Sequence, residues 1–102
     1  MVGLDGGVAV IEPIEHRIAN RGERLAYVAI EPWPHCFELK PGEVLSFVWT
    51  PKAGLPALET DYDPNGDLTV WPNGEMDDRT IMIDGKPALD RSWKFERNQQ
   101  SS

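Results

Sequence analysis

The chain has 102 residues, 17 Asp and Glu against 10 Lys and Arg, and a formal charge of −7. That length supports one domain with one core, and 40% hydrophobic residues with nine aromatics argue against disorder. The acidic balance excludes sequence-independent nucleic-acid binding, which needs clustered Lys and Arg, and no apolar run reaches the roughly 18 residues of a membrane helix.

Residues Met1 to Val10 lack the basic start and long apolar run of a signal peptide. The single cysteine, Cys36, excludes an intramolecular disulfide and points either to a reducing, cytoplasmic setting or to an inert buried thiol.

Nine glycines and nine prolines break the chain into short pieces that read as strands. Ile14, His16 and Ile18 alternate with polar neighbours, and Asn20 to Glu23 turns. Residues 25–31 (LAYVAIE) form the next strand, which Pro32 and Pro34 end because proline cannot donate to a ladder. In 35–39, His35, Phe37 and Leu39 share one face, Cys36 and Glu38 the other. Lys40-Pro-Gly-Glu43 is a β-turn signature leading into 44–50 (VLSFVWT), whose two largely apolar faces suit a central strand.

The second half repeats the pattern. Strands are expected at 57–62, 68–71 and 79–84, with turns at Pro64 to Asp67, Asn73-Gly74 and Asp84-Gly85. The reading is an all-β domain over 1–90: a single small antiparallel β-sandwich, immunoglobulin-like, of seven or eight short strands. Residues 91–102 form a polar C-terminal tail expected to fray.

The run Ala29 to Glu43, AIEPWPHCFELKPGE, resembles a family of short, uncharacterised bacterial β proteins. In these a strand ends in Glu-Pro-Trp, and an aromatic-Glu-Leu-x-Pro-Gly-Glu turn leads into a hydrophobic strand. The Asn20-x-Gly step, Leu68-Thr-Val-Trp71 and Ile83-Asp-Gly85 extend the resemblance over about residues 14–89. It departs at Pro34-His35-Cys36, where the family has a glycine and an acidic residue. The resemblance implies a compact β-sandwich and carries no catalytic residue, since the family has no assigned reaction. The Lys-Pro-Gly-Glu turn is also similar to that of cupredoxins, but no histidine follows Cys36 and a blue-copper site is rejected.

The sharpest local motif is Asp61-Tyr-Asp63-Pro-Asn65-Gly66-Asp67, the first half of a calcium loop. Asp61, Asp63, Asn65 and Asp67 are therefore the candidate metal ligands. Pro72 stands where the loop needs its bidentate Glu, which excludes an EF-hand, and every residue here is also an ordinary turn former. Residues 59–78 hold seven acidic side chains and no basic one, so the whole net charge lies in this window. It is either a solvated edge, a weak Ca²⁺ site or a surface for a basic partner.

His16 falls on the apolar side of its strand, as a core histidine would. His35 and Cys36 are neighbours whose side chains leave opposite faces, which prevents a Cys–His pair. Trp33, Trp49, Trp71 and Trp93 are core aromatics or a stacking platform, and Trp33, between two prolines, is the one expected to be exposed. No nucleophile elbow, P-loop, dinucleotide fingerprint, HExxH or CxxC is present.

Three functions remain. The first is a non-enzymatic interaction module meeting a protein partner, or a second copy, through an edge strand or the acidic hairpins. The second is a domain binding Ca²⁺ or a small ligand at residues 61–67. The third is a minimal enzyme pairing His16 or His35 with a carboxylate.

Overall fold

A computed structural model describes residues 12–33, 35–64 and 66–92. Among these residues nine short strands form two sheets: β1 Ile14–Ala19, β2 Ala26–Ile30, β3 His35–Leu39, β4 Val44–Pro51, β5 Leu58–Tyr62, β6 Leu68–Pro72, β7 Gly74–Met76, β8 Met82–Ile83 and β9 Lys86–Pro87. The first sheet runs β1-β4-β8-β9, with β7 also on β4; the second runs β3-β2-β6-β5. The chain is thus all-β, and its two sheets make the small sandwich expected from the strand pattern.

Alternation builds the core. Phe37 and Leu39 of β3, Val28 and Ile30 of β2 and Val70 of β6 face Leu45, Phe47 and Trp49 of β4, and Ile81, Ile83 and Ala88 close the cluster. All are buried. Burying each large side chain stabilises by about 1.5–3 kcal/mol.

Three details depart from the expected arrangement. The β2–β6 pair is parallel, Val28 lying beside Leu68 and Ile30 beside Val70, so the sandwich is not wholly antiparallel. The expected strand over 79–84 is shortened: Asp78–Thr80 is a single 3-10 turn, capped by the Asp77 carboxylate, and only Met82–Ile83 pair with β4. Asn73-Gly74 does not turn freely but opens β7, where Gly74 has φ +139°. A Cβ there would come within 1.9 Å of the Thr50 carbonyl oxygen, so only glycine lets β7 approach β4.

Asn20 does more than turn the chain. Buried, it donates through Nδ2 to the Arg24 and Leu39 carbonyls at 2.8 Å each and accepts at Oδ1 from the Gly22 amide at 3.0 Å. Its backbone bonds to Glu43 and Gly42, so one side chain and its peptide join two loops and the end of β3. Such satisfied buried amides fix loop geometry because breaking them strands polar groups out of water.

Arg91 and Ser92, the first residues of the expected tail, are engaged. The Arg91 guanidinium donates to both Glu43 carboxylate oxygens at 3.0 and 3.1 Å and to the Glu38 carbonyl at 3.1 Å. The rest of the tail, with Trp93, lies outside the described residues, as do Met1 to Ile11.

Candidate functional site

The acidic hairpin joins β5 to β6. Asp61 lies opposite Thr69 in the ladder and its Oδ2 accepts from the Trp71 indole N–H at 2.9 Å. Asp63 caps the turn: its Oδ1 accepts from the Asp67 amide at 2.9 Å, and its backbone bonds to Asp67 and Gly66. Asp61 and Asp63 therefore serve the hairpin itself, and Asp67 presents its backbone to it. Asn65 lies outside the described residues. Among the described residues no three His, Cys, Asp or Glu side chains converge as a metal site would require.

The second acidic group separates from the first. Asp77 is held by Arg79, whose guanidinium donates to it at 2.9 and 3.0 Å and keeps its carboxyl below the usual range. Asp78 turns to His35. The His35 Nε2 lies 3.2 Å from Asp78 Oδ2 and its Nδ1 lies 3.0 Å from Ser92 Oγ. This aligns a carboxylate, an imidazole and a hydroxyl in the order of a nucleophilic triad, with His35 only 5% exposed. The same contacts tie β3 to the 78–80 turn and to residue 92.

His16 is half-buried opposite Phe47, its ring 5.8 Å from Phe47 and 6.3 Å from Trp49. Burial lowers its pKa from 6.5. It has no carboxylate partner among the described residues. Cys36 and Glu38 leave β3 on the face opposite His35, as alternation requires.

The tryptophans correct the sequence reading. Trp33 is half-buried and packs against the core, whereas Trp71 is 37% exposed on the outer face of the second sheet. Alternation explains it: Val70 points inward, so Trp71 points out. Trp49 is core, its indole N–H donating to the Ala57 carbonyl at 3.2 Å.

One amphipathic recess among the described residues was not foreseen. A cleft of about 610 Å³ opens at one end of the sandwich, lined by Pro32, Trp33, Pro51, Leu55 and Pro72 together with Thr50, Lys52, Asn73 and Glu75. The signal was present in the strand-ending prolines. Pro32 follows β2, Pro51 ends β4 and Pro72 ends β6, and the fold gathers the three at this end.

No family model, no curated protein and no solved structure matches this chain.

Proposed function

We propose that the chain is a small non-enzymatic interaction module that meets a basic protein partner along edge strand β5. The carrying observation is the state of the second sheet's two edges. At one edge the Arg91 guanidinium occupies the Glu38 carbonyl of β3. At the other, β5 ends the strand order among the described residues, with Glu59, Thr60, Asp61 and Tyr62 all exposed, Tyr62 at 75%. An uncovered edge is a template for an added strand.

Charge selects the occupant. Glu59 and Asp61 stand on the outer face beside Trp71, so an added strand carrying Lys or Arg at alternate positions meets carboxylates and an indole face. A second copy is disfavoured here: a two-fold pairing that continues the outer face sets Glu59 and Asp61 against their own counterparts. An immunoglobulin-like relationship and a cytoplasmic location belong to the same reading, the latter supported by the lone cysteine.

The test is capture of partners by the wild-type chain and by Glu59→Lys/Asp61→Lys, at low and high salt. Basic proteins retained by the wild type, lost from the variant and released by salt support the module. Retention unchanged by the charge reversal overturns it.

A further inference from the structure

We propose that the end cleft is a binding site for a neutral saccharide, independent of the β5 edge. Its volume, about 610 Å³, falls within the range of small-ligand pockets. The apolar part is three proline rings, the Trp33 indole and Leu55, which is 51% exposed. Such a surface stacks against the C–H faces of a pyranose ring at little entropic cost.

Of the polar part, the Asn73 side-chain amide donates to the Pro56 carbonyl and two charged groups are uncommitted. Lys52 and Glu75 make no side-chain hydrogen bond or ion pair among the described residues, unlike Glu43, Asp77, Arg79 and Arg91, which are all paired. One ammonium and one carboxylate leave the cleft neutral within a chain of charge −7. A charged ligand gains nothing net from that pair. Sugar hydroxyls, each donor and acceptor, match both an ammonium donor and a carboxylate acceptor, and the Thr50 hydroxyl adds a group of either kind.

The backbone of the cleft argues against an extended peptide. Peptide strands are held by main-chain donors. Pro32, Pro51 and Pro72 have none, the Lys52 amide donates to the Asn73 carbonyl, and the Asn73 amide donates to the Ala57 carbonyl. Recognition here runs largely through side chains, as sugar recognition does.

The probe is a panel of neutral tetrasaccharides of glucose, mannose, galactose and N-acetylglucosamine, titrated into labelled protein and followed by amide chemical shifts. At least one is expected to perturb residues 50–55 and 72–75 saturably, and Glu75→Gln or Lys52→Met to weaken it about tenfold, the loss of one charge-assisted hydrogen bond. Neither side chain makes a hydrogen bond among the described residues, so unchanged amide spectra elsewhere will show the variants folded. Three results overturn the proposal: no tetrasaccharide perturbs the cleft, the two substitutions leave affinity unchanged, or a proline-containing peptide binds there and the sugars do not. Loss of the β5 partner in the charge-reversal variant, with sugar binding intact, separates the two surfaces.

Discussion

The Thr80 hydroxyl oxygen lies 3.1 Å from the Val48 amide nitrogen and 3.3 Å from the Val48 carbonyl oxygen. On this side of β4, β8 pairs with Leu45 and Ser46 and β7 with Trp49 to Pro51. The chain leaves the sheet between them for the 78–80 turn, and one side chain fills the vacated ladder position. The hydroxyl accepts from Val48 and donates to the Asp77 carbonyl at 2.7 Å. Thr80→Val keeps the shape and removes both bonds, stranding the Val48 amide. It should cost about 1–3 kcal/mol, read as a fall in Tm of roughly 4–8 °C per kcal/mol for a domain this size. Thr80→Ser should recover most of that. A Thr80→Val protein as stable as wild type would show that water replaces the hydroxyl.

Gly74 makes a harder demand on the same sheet. At φ +139° with the Thr50 carbonyl 1.9 Å from a would-be Cβ, alanine has neither the backbone conformation nor the space. Gly74→Ala should destabilise by at least about 3 kcal/mol, combining strain with steric overlap. Gly54→Ala, at φ +85° with nothing near its Cβ, meets the strain alone and should cost less. Chemical denaturation of the two variants compares them, and equal losses would remove the close approach as the cause.

These two residues also show what the sequence could and could not reveal. The period-2 runs at 35–39 and 44–50 group Phe37 with Leu39 and Phe47 with Trp49 on shared faces, which are the buried ones, because alternation follows from strand geometry alone. The split partner of β4 is invisible in RTIMID, since its breaking point is set by how Thr80 docks on a strand 32 residues away. The parallel β2–β6 pair is likewise a tertiary choice that neither strand encodes. His35 is a mixed case. Its inward parity was legible, but its partners lie 43 and 57 residues along the chain. The cleft was legible only in part: each proline marks a strand end, and nothing local says that three ends meet.

His35 should behave as a structural tie. His35→Phe preserves the ring, fits beside Phe37, whose centroid lies 6.2 Å away, and removes both polar contacts. The Ser92 and Asp78 groups reach partial exposure and can recover water, so the loss should be about 1–2 kcal/mol. The measurement is the urea midpoint, with hydrogen exchange at the 78–80 turn as the local readout. Faster exchange confined to that turn and the residues near Ser92 is expected. A serine-reactive fluorophosphonate that labels Ser92 in the wild type and not in His35→Phe would contradict a purely structural role.

His16 should contribute to the acid limb of stability. Burial against Phe47 and Trp49 lowers its pKa from 6.5, so the folded chain resists the proton that the unfolded chain takes up. The unfolded state therefore binds more protons just below pH 6.5, and stability rises with pH across that window. The contribution is complete above 6.5 and is lost as pH falls toward the folded value. Glu43, whose carboxyl Arg91 holds below its usual range, and Asp77 act in the same direction only below about their unfolded values of 4.5 and 3.8. Glu31, raised by burial, opposes them. Melting temperatures of wild type and His16→Gln between pH 5 and 7 isolate the histidine. The variant should show the shallower slope, and parallel curves would assign the window to another group.

Asp63 gives the last outcome, and it bears on the calcium motif. Its carboxylate accepts the Asp67 amide across the turn at 2.9 Å, which helps close the β5–β6 hairpin. Asp63→Ala should lower stability by about 0.5–1.5 kcal/mol, the worth of one such hydrogen bond. That loss should be the same in EDTA as in millimolar Ca²⁺, since Asp61 is engaged by Trp71 and no three carboxylates converge among the described residues. The check is a thermal titration of both proteins with Ca²⁺. A saturable rise in the wild type that vanishes in Asp63→Ala would place an ion at 61–67 after all, because a ligand bound only by the folded state raises its Tm. Equal curves leave Asp63 as the cap that sets the register of β5, the strand on which the proposed partner docks.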